Sequence, residues 1–350
     1  MKRFAVPAAI FLALAFLPKL SVDIPYLFEG GLNTPGTLEL MALCLLFGGL
    51  ALSYDLLFGF TGLLSFGHAL YFAIGVYVSA IAMTRWHWDF WVSVAFTAIV
   101  GFLVAVILGA VSLRVAGIAF AMVTLAFAQA GSILVLKNPY DWTGGEEGFG
   151  VDYHQLPAWT VGILNTKNLY WIALAYAAAV FAIVRWAVNS SPGHVWQAIR
   201  ENELRVQVLG LKPYTYKLMS FVLASMLATA GGVVYLLLLG GANTDVTTAS
   251  FTLTLLLMVV IGGTGSRWGA MIGGILYTYA DHRLGDLSSS HRVSTLPAVV
   301  RTPLQQPLFI LGVLFILVVF FVPGGLTRAG QVGVRLDRIL RRPATQEEVT

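Results

Sequence analysis

The sequence predicts an all-α membrane protein, a polytopic bundle of about ten transmembrane helices in which some spans are short or discontinuous. Two observations carry this prediction. Of the 350 residues, 58% are hydrophobic and 11% are charged, whereas soluble domains have roughly 45–50% and about 25%. Apolar runs near the roughly 20 residues needed to cross hydrocarbon recur along the chain. Lipid suits this composition, because a soluble protein would lack the polar residues to cover its surface.

Ten apolar segments account for the spans. They cover residues 4–20, 37–57, 62–83, 90–113, 115–136, 169–187, 218–240, 250–261, 269–280 and 305–322. The eighth and ninth are short, because a 12-residue helix reaches only about 18 Å. They flank the glycine-rich residues 262–267, so they are either two short spans or one broken, re-entrant pair. Irregular backbone at membrane depth is tolerated only where protein or a water-filled cavity surrounds it.

The first segment also resembles a secretory signal peptide. Lys2 and Arg3 precede an apolar stretch that ends near Ala13-Leu14-Ala15, as at a cleavage site. Pro18 and Lys19 follow, and a retained span fits the loop charges equally well, so we predict a retained span. Cleavage would leave nine spans with the same remaining topology.

Loop charges predict the orientation. With both termini in the cytoplasm, 14 of the 21 Lys and Arg residues fall on the inner side, as do 6 of the 17 Asp and Glu residues. An excess of basic residues marks cytoplasmic loops. Residues 328–350 form a basic tail after the last span, which we expect to bind anionic membrane lipid.

Two loops are longer than simple connections, and long ordered loops are often functional. One covers residues 137–168 on the outer side, and the other covers residues 189–217 on the inner side. In the inner loop we predict Ser191 as the N-cap and Pro192 as the first residue of a helix.

The same inner loop has an apolar stripe formed by Trp196, Ile199 and Val206. Gly210 then provides a helix stop. Such a helix can pack on its own membrane domain or bind a soluble partner, and periodicity does not choose between them.

The sequence shows no catalytic or metal-binding pattern. The six histidines form no His-x3-His or HExxH pair, and there is no Walker-type phosphate loop. No Gly-x-Ser-x-Gly nucleophile motif occurs either, and the single Cys44 excludes an intrachain disulfide. We therefore expect no enzyme, no metal, no bound cofactor and no nucleic-acid partner; any ATP would be used by another chain.

Ionisable residues within the predicted spans are scarce, and Asp55 and His68 are the plausible ones. We expect Asp55, near the cytoplasmic end of its span, to be hydrated. This scarcity weighs against an ion-coupled carrier, which usually buries a carboxylate relay or a paired charge.

The third span combines glycines with hydrogen-bonding side chains. It is either a tightly packed helix, with His68 bonded to a neighbouring carbonyl, or a discontinuous helix that lines a path for a polar solute. On the second interpretation, the candidate substrate-path residues are Thr61, Gly62, Ser65, Gly67 and His68.

Motifs from Leu38 to Leu326 resemble, in order and spacing, the LivM-type permease subunit of branched-chain amino acid ABC transporters. They lie at residues 61–69, 117–127, 143–148, 191–203, 231–232, 261–265, 309–312 and 323–325. The resemblance implies that residues 1–350 are a single transmembrane permease domain in a prokaryotic inner membrane. It implies an ATP-driven importer of Leu, Ile and Val, delivered by a periplasmic or lipid-anchored solute-binding protein. The implied partners are a LivH-like second permease and two LivG/LivF-like ATPase subunits.

The resemblance also implies that residues 189–217 are the cytoplasmic coupling loop to the ATPases. The residues carried over as coupling positions are Gly193, Ala198, Arg200, Glu201, Asn202 and Gly210. Residues 194–197 depart from the family pattern, which leaves the match to a particular ATPase open. Two alternatives stay open: a permease subunit for urea or short amides, and a stand-alone channel or ion-coupled carrier.

Overall fold

The computed structural model describes residues 2–19, 31–152, 154–162, 165–289, 306–321 and 324–326, and the protein is an all-α helical bundle in these ranges. Ten helices correspond in order to the ten predicted spans. They are α1 (Lys2–Phe16), α2 (Pro35–Asp55), α3 (His68–Thr84), α4 (Phe90–Ser112), α5 (Ile118–Lys137), α6 (Thr166–Val188), α9 (Pro213–Leu239), α10 (Ala249–Gly262), α11 (Arg267–Ser289) and α12 (Pro307–Phe321). Between α6 and α9 lie α7 (Ser191–Glu201) and α8 (Glu203–Val208).

Two further elements matter for the site. A π-helical turn, Leu56–Thr61, continues α2, and two-residue strands β1 (Phe149–Gly150) and β2 (Gly241–Ala242) pair antiparallel. Five of the described helices are long and apolar enough to cross a membrane, namely α2 with its π turn, α4, α5, α6 and α9. The protein is therefore a multi-pass membrane protein.

Helix α2 is the most enclosed of these five. Within an 18-residue apolar stretch of each helix, 83% of the residues are buried in α2, compared with 22% in α4 and 33% in α5. It packs against α6, α9, α10 and α11, and Gly48 in α2 lies against the backbone of Met271 and Gly274 in α11. Small residues allow such close approach of helices in lipid. The poorly buried helices α4 and α5 therefore present many apolar side chains outward.

The two ends of the bundle carry different elements. The end that holds α7 and α8, here called the α7–α8 end, also holds the π turn and the turn at residues 263–266, since Arg200 reaches both. The opposite end holds the β1–β2 pair, near which the Thr244 hydroxyl donates to the Glu146 carbonyl.

Helices α10 and α11 run antiparallel between these two ends. Their connection lies at the α7–α8 end, whereas His282 and Arg283 near the end of α11 share a cleft with Thr34 at the start of α2. With 23 residues, α11 reaches about 34 Å and is much longer than the predicted segment 269–280. Two separate helices thus form here rather than a re-entrant pair.

The start predicted for the third span is wrong. Residues 62–67 are not helical, and α3 begins only at His68. Gly62 has φ +79°, a left-handed conformation that ends the π turn and that glycine adopts without steric cost. The predicted tail at residues 328–350 lies outside the described residues.

Candidate functional site

The non-helical residues 62–67, here called the break, cross the bundle interior between the π turn and α3. Their backbone is bonded by side chains from other helices: Thr124 in α5 accepts from the Phe66 N–H at 3.1 Å. At the start of α3, Thr252 in α10 accepts from the Ala69 N–H at 3.1 Å. Buried N–H groups need such partners, so the fold supplies a protein environment for irregular backbone.

His68, at the start of α3, is fully buried. Its Nε2 lies 2.9 Å from the Ser53 hydroxyl, and that hydroxyl donates its single proton to the Leu50 carbonyl at 2.7 Å. With the Ser53 proton assigned to that bond, Nε2 carries the ring proton and donates to Ser53. By the same argument Nδ1 is a bare acceptor, because a neutral imidazole carries one N–H. The partner of His68 is a hydroxyl, not the carbonyl of the packed-helix interpretation.

Two polar atoms beside Ser53 have no hydrogen-bond partner within the part of the chain that the structure describes. They are the His68 Nδ1 and the Tyr54 hydroxyl, and the two rings meet edge to face at 5.3 Å. Buried polar atoms are nearly always bonded. This pair therefore leaves one hydrogen-bond acceptor and one donor unmatched in the bundle interior.

The other predicted path residues divide between two places. Ser65 and Gly67 are buried together in the break, where the Gly67 N–H donates to the Ser65 hydroxyl at 3.2 Å. Thr61 is buried in the π turn and donates to the Leu56 carbonyl at 3.0 Å. Gly62 is exposed at the α7–α8 end. The structure thus brings Ser65, Gly67 and His68 together, and their role in a substrate path stays a prediction.

Asp55, at the end of α2, is fully buried, so the expectation that it is hydrated is wrong. The turn between α10 and α11 covers it, and its Oδ1 accepts from the Gly265 N–H at 2.9 Å. Arg200 of α7 enters the same place, and its guanidinium donates to the Gly59 carbonyl of the π turn. Asp55, Gly59, Gly62, Arg200 and Gly265 are here called the Asp55–Arg200 cluster. Sequence reasoning singled out Asp55 and the glycine-rich turn separately but did not place them together with Gly59 and Arg200.

Helix α7 packs on its own membrane domain. Trp196, Ile199 and Val206 are buried, which confirms the predicted stripe, and the Trp196 Nε1 donates to the Tyr216 carbonyl at 2.8 Å. The N-cap is Ser190 rather than Ser191, because the Ser190 hydroxyl accepts from the Gly193 N–H at 3.4 Å. Two adjacent serines offer the same capping chemistry, and the sequence alone did not separate them.

The chain bends between α7 and α8 at Asn202, whose Oδ1 accepts from the Arg205 N–H at 3.0 Å. The salt bridge of Glu203 with Lys217, 2.7 Å, ties α8 to α9. Of the predicted coupling residues, Gly193 is buried, and Arg200 is exposed although its guanidinium bonds the Gly59 carbonyl of the bundle. The remaining four are exposed: Ala198, Glu201, Asn202 and Gly210.

Sequence reasoning missed an exposed apolar face on α8. Leu204, Val208 and Leu209 are 70%, 88% and 78% exposed, whereas Val206 on the other side is 2% exposed. Leu204 and Val208 are four residues apart and therefore share one helix face. This face, here called the α8 apolar face, points away from the bundle.

Residues 36–319 match the family model described as branched-chain amino acid transport system / permease component. The chain belongs to this family. The permease is 25% identical over 313 residues to the high-affinity branched-chain amino acid transport system permease protein LivM of Escherichia coli K12, covering 83% of this chain and 70% of the relative. It is 24% identical over 330 residues to the probable branched-chain amino acid transport permease protein LivM of Methanocaldococcus jannaschii, covering 83% and 94%. No solved structure matches it.

The match explains the combination of features in the structure. The permease is a membrane transport component, a permease subunit of an ABC importer that works with other subunits, and it is not an enzyme. A transport subunit needs a protected interior with polar groups and a contact surface for its partners. The break and the α8 apolar face are the respective candidates.

Proposed function

We propose that this permease translocates leucine, isoleucine and valine, which an extracytoplasmic binding protein delivers. The family match over residues 36–319 carries the proposal, and the relatives in three organisms are named for the same transport. The experiment is uptake of labelled leucine by the complete importer. Excess unlabelled isoleucine or valine should suppress uptake and urea should not; suppression by urea would favour the alternative of a urea or short-amide permease.

We propose further that the partners are a LivH-like second permease, two LivG/LivF-like ATPases that use the ATP, and the binding protein. The chain itself would bind no cofactor. The ATPases would contact the α7–α8 end, because it presents the α8 apolar face beside exposed Glu201 and Arg205. An apolar face that is exposed to water is typical of a protein–protein interface.

The α7–α8 end would lie in the cytoplasm of a prokaryotic cell, with both termini on that side. Basic side chains gather at this end, among them Arg185, Arg200, Arg205, Lys212, Lys217 and Arg267. Acidic side chains gather in the loops of the opposite end, among them Asp141, Glu146, Glu147, Asp152 and Asp245. The excess of basic residues on the cytoplasmic side of membrane proteins supports this orientation.

Cysteine labelling tests the orientation. Cys44 is the only cysteine and is buried, so a Cys44→Ala background leaves no other thiol. Tyr140 and Val208 are 89% and 88% exposed at opposite ends. On intact spheroplasts, a membrane-impermeant maleimide should label Tyr140→Cys and spare Val208→Cys until the membrane is opened. The reverse pattern would show that the orientation is inverted.

The solute path would pass the break, where the His68 Nδ1 and the Tyr54 hydroxyl offer an acceptor and a donor. We expect His68→Phe to lower leucine uptake by about tenfold or more, the effect of losing one buried hydrogen bond, with normal permease abundance. Thr97→Val is the control, because Thr97 is equally buried and its hydroxyl bonds its own helix at Ser93. Equal uptake by the two variants would exclude His68 from the path.

A further inference from the structure

The Asp55–Arg200 cluster joins three parts of the permease that are far apart in sequence. Arg200 belongs to α7, Gly59 to the π turn that leads into the break, and Gly265 to the turn between α10 and α11. If ATPases act on α7, as proposed above, these contacts carry movement of α7 to the π turn and to the turn between α10 and α11.

The Gly59 carbonyl needs a partner because the helix ends just after it. The last carbonyls of a helix have no N–H group within the helix to accept from, and the chain leaves the π turn at Gly62. Arg200 fills this place by donating to Gly59. A positive charge at a helix C-terminus is also favoured by the helix dipole. Single π turns inside helices are rare and occur frequently at functional sites.

Only one of the two Asp55 carboxylate oxygens has a hydrogen-bond partner among the described residues. Its Oδ1 accepts from Gly265, while its Oδ2 is buried and has no hydrogen-bond partner among the described residues. A buried carboxylate is costly unless its charge is compensated. Arg200 lies close enough to compensate it, because Gly265 bonds the Asp55 Oδ1 and also lies against the Arg200 Nη1. Arg200 thus has two acceptors within the cluster, the Gly59 carbonyl that it now bonds and the open Oδ2 of Asp55.

Glycines leave no free space on the bundle side of the Arg200 side chain, which is otherwise exposed. A Cβ on Gly62 would lie 3.1 Å from the Arg200 Cγ, and a Cβ on Gly265 would lie 2.8 Å from its Nη1. A Cβ on Gly59 would overlap the Asp55 carboxylate. Gly62 and Gly265 also have φ of +79° and +72°. Glycine alone suits both the lack of room for a Cβ and the left-handed backbone. The guanidinium therefore cannot move deeper into the bundle without displacing the π turn or the 263–266 turn.

We propose that Arg200 is a positioning residue that transmits movement of α7 to the break and to the α10–α11 hairpin by exchanging the Gly59 carbonyl for the Asp55 Oδ2. Asp55 holds the hairpin through Gly265 in both arrangements. Arg200 therefore acts inward, on its own membrane domain, while the ATPases contact other residues of α7 and α8.

The test uses the complete importer in proteoliposomes and measures leucine taken up per ATP hydrolysed, together with the amount of ATPase bound. We expect Arg200→Gln to bind ATPase normally and hydrolyse ATP, but to lower the ratio by about tenfold or more, as loss of a charged hydrogen bond would. Arg114→Gln is the matched control, because Arg114 is an exposed arginine in the loop between α4 and α5; its ratio should equal the wild-type ratio.

Asp55→Asn keeps an oxygen that can accept from Gly265 but removes the charge. We expect a similar fall in leucine taken up per ATP hydrolysed. The double variant should lower the uptake ratio no more than the more severe single variant does, because the effects of mutations at residues in contact are not additive. An unchanged ratio in Arg200→Gln, loss of ATPase binding, or additive losses would each overturn the proposal. If Arg200→Gln does not fold, the ratio is measured instead for Arg200→Lys, which retains the positive charge. Failure of the proposed function would appear separately, as no ATP-dependent leucine uptake by the wild-type importer.

Discussion

Gly75→Ala is expected to destabilise the permease strongly, although it adds only one methyl group. Gly75 in α3 faces Gly232 in α9, and a Cβ on Gly75 would lie 2.9 Å from the Gly232 Cα and closer still to the Thr229 carbonyl oxygen. Overpacking typically costs about 1–3 kcal/mol, and at this contact only backbone could give way. The cost should therefore reach or exceed the upper end of that range. The measurement is the thermal midpoint of unfolding in detergent, followed by size-exclusion chromatography.

Gly312→Ala is the matched control for this prediction. Gly312 also lies within a helix, α12, but a Cβ there would meet no atom of the described residues within 4 Å. Its thermal midpoint should stay at the wild-type value or rise slightly, since alanine favours the helix. Equal midpoints for the two variants would show that α3 and α9 do not approach as closely as the structure has them.

Loss of the α8 apolar face is expected to abolish assembly with the ATPases. Leu204 and Val208 are 70% and 88% exposed, and burying one such side chain in an interface contributes roughly 1.5–3 kcal/mol. Leu204→Asn combined with Val208→Asn should therefore weaken ATPase binding by at least about a hundredfold. Co-purification of the ATPases with the tagged permease measures the effect.

Gln207→Asn serves as the control, because Gln207 is exposed on α8 between the two apolar positions. It should retain ATPase at the wild-type level, and both proteins should insert into the membrane in equal amounts. Normal co-purification of the double variant would place the ATPase contact elsewhere on the inner loop.

Much of the fold could be predicted because lipid imposes a simple rule on sequence. Each span needs a long apolar run, and each of the ten predicted runs has a helix in the described residues. The rule works poorly for α11, since its second half contains Asp281, His282 and Asp286. These residues interrupt the apolar run without interrupting the helix, so the predicted segment stopped too early.

The site could be predicted only where its contacts are local. The apolar stripe of α7 and α8 follows from helical spacing, and the structure confirms it. The Asp55–Arg200 cluster depends on contacts across 141 and 210 residues of sequence, which no local pattern encodes. For the same reason Asp55 was expected to be hydrated: its position near a span end was visible, but the turn that covers it was not.

Uptake of labelled leucine into proteoliposomes shows whether the permease works as part of an ATP-driven importer. Vesicles receive the permease with its partner permease, the binding protein, and the ATPases with or without ATP. We expect uptake only when ATPases and hydrolysable ATP are both present, and none with a non-hydrolysable analogue. Leucine uptake of equal rate by vesicles that lack the ATPases would contradict this expectation and would identify a channel or an ion-coupled carrier.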